Sequence, residues 1–287
     1  MNINEIKDQY DDKDGSMYGK KNIEESLAML YHENSKLNKH STRILGENIN
    51  AFINNPYILE RSSQPFKCYP GHEFIDLSIY KQNDHNTSFF NVIKKRRSVR
   101  IFDSAYQLSL NELSILLYHS YGVTRKLKLE GLSTEGHLGI RNIPSAGGLY
   151  PLEIYIVLFK GHIAPGLYHY RSDKNGLEKL KEGNFSSYLS TIIQAEPYIN
   201  FNDCSGLILT TGLIERVFIK YGDRGYRFLI QESGTLGLML ALLAESIELG
   251  SCMLGGYQDD KVNTFLGVDG VFETVNNILA IGKPAQP

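Results

Sequence analysis

Cysteine is scarce in this sequence. Only Cys68, Cys204 and Cys252 occur, far apart and with no CxxC spacing, which argues against a disulfide framework and against a thiolate metal site. Excess charge of one sign is also missing. Thirty Lys and Arg face 32 Asp and Glu, for a formal net charge of −2, so there is no general electrostatic drive toward nucleic acid and no such partner is expected. No long apolar run is present; the best candidate, residues 236–244 (LGLMLALLA), is too short to cross a bilayer, and no membrane partner is expected. The first twenty residues are polar and acidic, without the apolar region of a signal peptide. A reducing, cytoplasmic setting is the expectation. The eight histidines make no HExxH pattern, no Gly-x-Ser-x-Gly surrounds a serine, and no GxGxxG opens a helix. Metalloprotease, serine-hydrolase and dinucleotide-fold readings therefore have little to stand on. His137 and His169 lie near interesting loops and read as structural or surface residues rather than ligands.

What is present is a 287-residue chain with 42% apolar residues, enough for one large core. Residues 1–20 read as loosely attached, and 22–34 as a helix through Ile23, Leu27, Leu30 and Tyr31. Residues 35–90 are rich in Asn, Ser, Pro and His, with Pro56, Pro65, Pro70 and Gly71 breaking long elements. Residues 1–90 are thus expected to be an irregular or helical extension, and 91–287 the main domain. Ser109 with Glu112 predicts a capping box that starts a helix over 110–118. Strands are expected at 153–160, near Tyr168–Tyr170, at 207–211 and at 277–281, and helices at 185–199, 213–220 and 229–249. The last should be apolar on most sides, partly covered by a second subunit. Strands and helices mix without βαβ spacing, which points to an α+β fold.

Four segments have the chemistry to form a site. Arg96-Arg97-Ser98-Val99-Arg100 puts three guanidiniums and a hydroxyl in five residues; in extended backbone Arg96, Ser98 and Arg100 share a face and suit a phosphate. A solvated charge run is the plainer alternative. Asn142 to Pro151 holds Ser145-Ala146-Gly147-Gly148, a small-residue loop whose backbone admits a planar ligand, or else a structural turn. Lys220-Tyr221 can manage a proton only if a pKa moves, since both normally titrate near 10; a charged turn is the alternative. Gly255-Gly256-Tyr257 is a backbone-lined wall of a pocket or a simple helix–loop junction.

Together these segments resemble the nitroreductase-like flavoenzyme superfamily, and within it the SagB-type dehydrogenases that form thiazole or oxazole in peptides. The strings that carry the resemblance are RRSVRIF (96–102), LSLNELSILLYHSYGVTR (108–125), RNIPSAGGLYPLEIYIV (141–157), PGLYHY (165–170), FIKYGDRGYRFLIQESG (218–234), GGYQDD (255–260) and AIGKP (280–284). The resemblance implies a mostly antiparallel central sheet flanked by helices, an intertwined homodimer, and FMN at the subunit interface. It implies that Arg96, Ser98 and Arg100 hold the FMN phosphate and ribityl chain and that Lys283 adds a second phosphate contact. Ser145, Ala146 and Gly147, from the neighbouring subunit, pack near the ring, with Gly255 and Gly256 at its other edge. Lys220 and Tyr221 match a catalytic pair, with Tyr221 the preferred proton acceptor and Lys220 lowering its pKa, or with the two roles reversed. The implied reaction is oxidation of thiazoline or oxazoline rings in a ribosomally made precursor peptide, alongside a cyclodehydratase. Two other readings stand beside it: an NAD(P)H-driven reductase of a dehydroamino acid, enone or nitro compound, and a non-catalytic scaffold subunit. One departure is visible. Relatives often carry His and then Gln-Asn early in the helix after the Glu232-Ser233-Gly234 step, where this chain has Thr235 and Leu238-Met239.

Overall fold

The structure is a computed structural model and describes residues 27–63, 66–80, 87–128, 137–195 and 197–285. The chain divides into two compact units, residues 1–48 and 49–287. The first contains α1 (Leu27–Asn34) and most of α2 (Lys39–Ile53). The reading of residues 1–20, and the start of the helix expected at 22–34, lie outside the described residues.

Residues 35–90 are more regular than their composition suggests. Asn38 caps α2, its side-chain oxygen accepting the His40 and Ser41 amides at 2.9 Å each. Asn55 caps α3 (Pro56–Ser63) by accepting the Ile58 amide at 3.2 Å. Pro56, read from sequence as a breaker, is the first residue of that helix, where a missing N–H costs nothing. Glu73–Asp76 forms strand β1.

The second unit is built on a seven-stranded sheet in the order β1-β6-β5-β4-β7-β9-β8, antiparallel at every pairing. Its strands are β4 (Leu152–Leu158), β5 (Gly166–Arg171), β6 (Gly176–Glu182), β7 (Gly206–Leu213), β8 (Gly250–Leu254) and β9 (Glu273–Gly282). A separate hairpin joins β2 (Val123–Lys128) to β3 (His137–Arg141). Helices cover both faces, as the strand period of two requires. Leu152, Ile154, Ile156 and Leu158 pack with α5 (Leu110–Tyr121) and with the long helix α8 (Arg224–Ser246). Tyr155 and Val157 face the other way, with α6 (Ser186–Ile192) and α9 (Asp259–Leu266). Two further helices are α4 (Phe89–Lys95) and α7 (Ile214–Tyr221).

The expected capping box is present: Glu112 N–H donates to Ser109 Oγ at 3.2 Å, and Ser109 N–H to the Glu112 carboxylate at 2.8 Å. Two helices differ from expectation. α6 stops at Ile192, because Ile193 turns extended and bridges Tyr257. α8 begins at Arg224, five residues early, and by length and composition could span a bilayer. Here it lies across the sheet, burying Leu229, Leu236, Leu240 and Ala244. In the single chain it is not buried on most sides: Ile230 and Leu238 remain about half exposed.

Candidate active site

The arginine segment is pinned to the sheet edge. Arg96 closes α4, donating its amide to Val92 O. The chain then runs parallel to β8, with Ser98 bridging Ser251 and the Val99 amide donating to Ser251 O at 2.9 Å. Val99 packs onto Gly250, where a Cβ would lie 2.7 Å from the Val99 Cβ; only glycine admits this approach. Because Val99 turns inward, Ser98 and Arg100 turn outward and are exposed. The Arg97 guanidinium folds back to Lys94 O and Arg96 O, at 3.0 and 2.8 Å. None of the three guanidiniums pairs with a carboxylate of the described residues. Lys283 joins this edge: its carbonyl accepts the Asp103 amide at 2.8 Å. Its ammonium lies 3.3 Å from the exposed carboxylate of Glu248, a weak contact.

The second and third segments meet in one place. Ala146–Gly148 forms a short 3-10 turn in which Gly147 has φ +63°. A Cβ on Gly147 would lie 2.5 Å from Tyr221 Oη and 2.6 Å from Lys220 Nζ. Thus the pair at the end of α7 rests against the glycine turn of the same chain. Lys220 Nζ lies 5.1 Å from the Phe52 ring, and Tyr221 stacks edge-on against Phe228 at 5.0 Å. Burial pushes the Lys220 pKa down and the Tyr221 pKa up. Desolvation disfavours phenolate and favours the neutral amine, so Lys220 is the more available base.

The turn is clamped by side chains to which the sequence reading assigned no role in a site. Tyr150 has φ +44°, an uncommon conformation for a residue with a Cβ. Its carbonyl accepts from Arg216 at 3.1 Å, and its hydroxyl accepts the Arg141 amide at 3.0 Å. The Arg141 guanidinium lies 4.1 Å from the Tyr121 ring and 4.9 Å from the Tyr150 ring. Arg216 also pairs with Glu153 at 2.7 Å. Glu153 in turn reaches His169, which is fully buried between Glu153 (2.9 Å) and Glu178 (3.0 Å). Both ring nitrogens of His169 are taken by carboxylates, so it is structural. Burial works to lower its pKa, but the two carboxylates outweigh this and raise it.

Gly255 and Gly256 follow β8, with open space where a Gly255 Cβ would stand. Gly256 is held from the other sheet face, its carbonyl accepting the Gln194 amide at 2.7 Å. Of the departing residues, Thr235 bonds Gln231 O within α8, Leu238 is exposed, and Met239 packs against the core. A cleft of about 930 Å³ opens along the outer face of α7, between Tyr57, Arg61 and Phe66 on one side and Leu149, Arg216 and Phe218 on the other.

The molecule is thus a helix-flanked antiparallel sheet with a basic edge and a lysine–tyrosine pair set against a glycine turn. Residues 93–283 match the model of the Nitroreductase family, and the chain belongs to that family. It is 30% identical over 179 residues to MJ1384 of Methanocaldococcus jannaschii, a protein named as a nitroreductase, across 62% of this chain and 83% of that one. It is 25% identical over 134 residues to the microcin B17-processing protein McbC of Escherichia coli, across 45% of this chain and 49% of McbC. Among solved structures, a nitroreductase-type protein from Anabaena variabilis aligns with TM-score 0.62 at 25% identity, over 77% of this chain and 44% of that one. The E. coli McbBCD microcin synthetase with truncated pro-MccB17 aligns with TM-score 0.56 at 22% identity, over 77% of this chain and 78% of the other. The chain thus spans about half the length of McbC and of the Anabaena protein. The family makes it an oxidoreductase of the flavoprotein class.

Proposed function

We propose that the chain binds FMN and oxidises thiazoline or oxazoline rings in a ribosomally made precursor peptide. The observation that carries this reading is the packing of Lys220 and Tyr221 against Gly147. The pair is half-buried, faces a small-residue turn, and has a base whose pKa is lowered. Likeness to McbC supports the same direction. The donors fit FMN: Arg96, Ser98, Arg100 and Lys283 gather at one edge for a phosphate, and the open space at Gly255 suits a flat ring.

Bound FMN supplies the two-electron acceptor, which the side chains cannot. The chain's own work is to orient the ring and handle the proton. Lys220, as neutral amine, takes the acidic Cα proton. Tyr221 keeps its own proton and donates a hydrogen bond beside it.

A second copy completes the site in this reading. Ser145 sits at the level of Glu232, whereas the arginine edge lies toward Ser246, whose carbonyl accepts from Thr87. At 1.5 Å per residue these points are about 21 Å apart along α8. Exposed Ile230, Leu238 and Met253 give a partner apolar surface to cover. A homodimer with the glycine turn of one chain facing the arginine edge of the other resolves both observations. A cyclodehydratase partner and a cytoplasmic setting, which suits three free cysteines, belong to the same proposal.

One observation favours a second reading, NAD(P)H-driven reduction of an enone, dehydroamino acid or nitro compound: MJ1384 is more alike than McbC and covers more of the shared chain. Anaerobic flavin spectroscopy separates the two. Bleaching by an azoline peptide, with loss of two hydrogens per ring by mass, supports the dehydrogenase. Bleaching by NADPH alone, with the peptide inert, refutes it in favour of the reductase.

A further inference from the structure

Glu232 is a carboxyl with almost no solvent contact, 5% exposed, on the central helix. Two hydroxyls lie beside it. Of these, Tyr121 Oη donates to its Oε1 at 2.9 Å, while Ser145 is a neighbour of the same carboxyl. Each hydroxyl also accepts a backbone amide: Tyr121 Oη accepts Leu152 N–H at 3.2 Å, and Ser145 Oγ accepts Tyr150 N–H at 2.9 Å. A hydrogen-bonded relay through Tyr121 therefore runs from the carboxyl to the amide after Pro151, and Ser145, beside the carboxyl, holds the amide before it. They hold the left-handed Tyr150 and the turn that carries Gly147, and so the surface on which Lys220 and Tyr221 rest.

We propose that Glu232 is a positioning residue that sets the 145–152 turn, and through Gly147 the Lys220–Tyr221 pair, by way of the Tyr121 relay and the neighbouring Ser145 hydroxyl. The inference rests on the reading of Lys220 and Tyr221 as the proton-handling pair, and it names what governs them. A carboxylate can accept from both hydroxyls at once. A protonated carboxyl must also place its own O–H, against the Tyr121 hydroxyl whose proton already points at it. The relay geometry of the two forms therefore differs.

The charge state is poised for this. Burial pushes the Glu232 pKa up, while Ser145, Tyr121, Arg141 and Arg216 work to lower it, and it settles at about 7. The titratable and charged groups facing it are Tyr121 on α5, Arg141 on β3 and Arg216 on α7. The Tyr121 phenol is held far above its ordinary value by burial, so it stays protonated across the neutral range. The group that changes there is Glu232.

The test compares wild type with E232Q on the full-length, FMN-loaded protein, with two readouts between pH 5.5 and 8.5. One is turnover of an azoline peptide. The other is the near-ultraviolet circular dichroism, which has no tryptophan contribution and is read as the pH-dependent change, so that the constant signal of bound FMN cancels. The expected wild type shows a break near pH 7 in both. The expected E232Q loses that break in both and loses kcat on the order of 10- to 100-fold, the scale of a small misplacement of reacting groups, with KM within about twofold. Rescue of the break by E232D supports the proposal further. Wild-type kcat with an unchanged pH break in E232Q overturns it. If E232Q fails to fold, S145A, which removes the hydroxyl beside the carboxyl and no charge, takes its place and is expected to shift the break. The double variant K220M/Y221F separates this inference from the reading beneath it. Unchanged turnover in that variant defeats the catalytic pair, and the dichroism titration then decides by itself whether Glu232 sets the turn.

Discussion

Replacing Gly147 by alanine is the sharpest perturbation available, because the fold supplies a matched control. Gly147 has φ +63° and ψ +14°, and Gly267, which caps α9, has φ +78° and ψ +30°. Both are left-handed, so alanine at either position costs about 1–2 kcal/mol in backbone strain. Their surroundings differ. A Cβ on Gly267 meets nothing within 4 Å, whereas one on Gly147 meets Tyr221 Oη at 2.5 Å and Lys220 Nζ at 2.6 Å. Those atoms are the ends of flexible side chains, so the pair retreats while the backbone holds. Reaching ordinary contact takes a displacement of about 1 Å, which is worth on the order of 100-fold in rate where geometry matters. G147A and G267A are thus expected to lose similar stability in urea, while turnover falls about 10- to 100-fold in G147A and stays within about twofold in G267A. Equal turnover in the two variants would refute the argument that the turn and the Lys220–Tyr221 pair form one working site.

Acid should unfold the protein through Glu153. Burial would raise its pKa, but the Arg216 ion pair and His169 hold it at about 2. A depressed carboxyl stabilises the fold above about 4.5 and loses that contribution as pH falls toward 2, worth about 3 kcal/mol in all; chemical denaturation at pH 6, 4 and 3 measures it. R216M leaves Glu153 short of a partner and frees Tyr150 O, so a loss of about 3–5 kcal/mol is expected in urea. Unchanged stability would mean the pair is not formed. R96A and R100A should each weaken FMN binding by about 1.5–3 kcal/mol, roughly 10- to 150-fold, in a fluorescence titration; unaltered affinity would move the phosphate elsewhere. S109A should cost about 1 kcal/mol in thermal unfolding without altering FMN affinity.

Local chemistry made part of this molecule legible. Ser109 and Glu112 announce a helix start because a cap needs only four consecutive residues. The short apolar run in residues 153–160 announces a buried strand, and the segment around Tyr168 pairs with it across a short connection. The small-residue turn, the arginine run and the Lys220-Tyr221 pair were visible as segments. Other elements were not visible. Pro56 looked like a breaker until Asn55 was seen capping the helix that it begins. β6, GLEKLKE, is too polar to read as a strand and exists because β1 and β5 pair with it on either side.

The sequence by itself determined where chains of local signals begin and end, which residue types could meet a phosphate or a proton, and the superfamily these imply. Only the tertiary structure decided which of them meet. Tyr121 and Glu232 are 111 residues apart in sequence, and Lys67 and Glu273 are 206 apart, yet both pairs are hydrogen-bonded. Whether Lys220 or Tyr221 is the better base, and whether Glu232 is charged near neutrality, depends on how much water and which distant arginines surround each group. Those are properties of packing, which brings residues together regardless of their spacing along the chain.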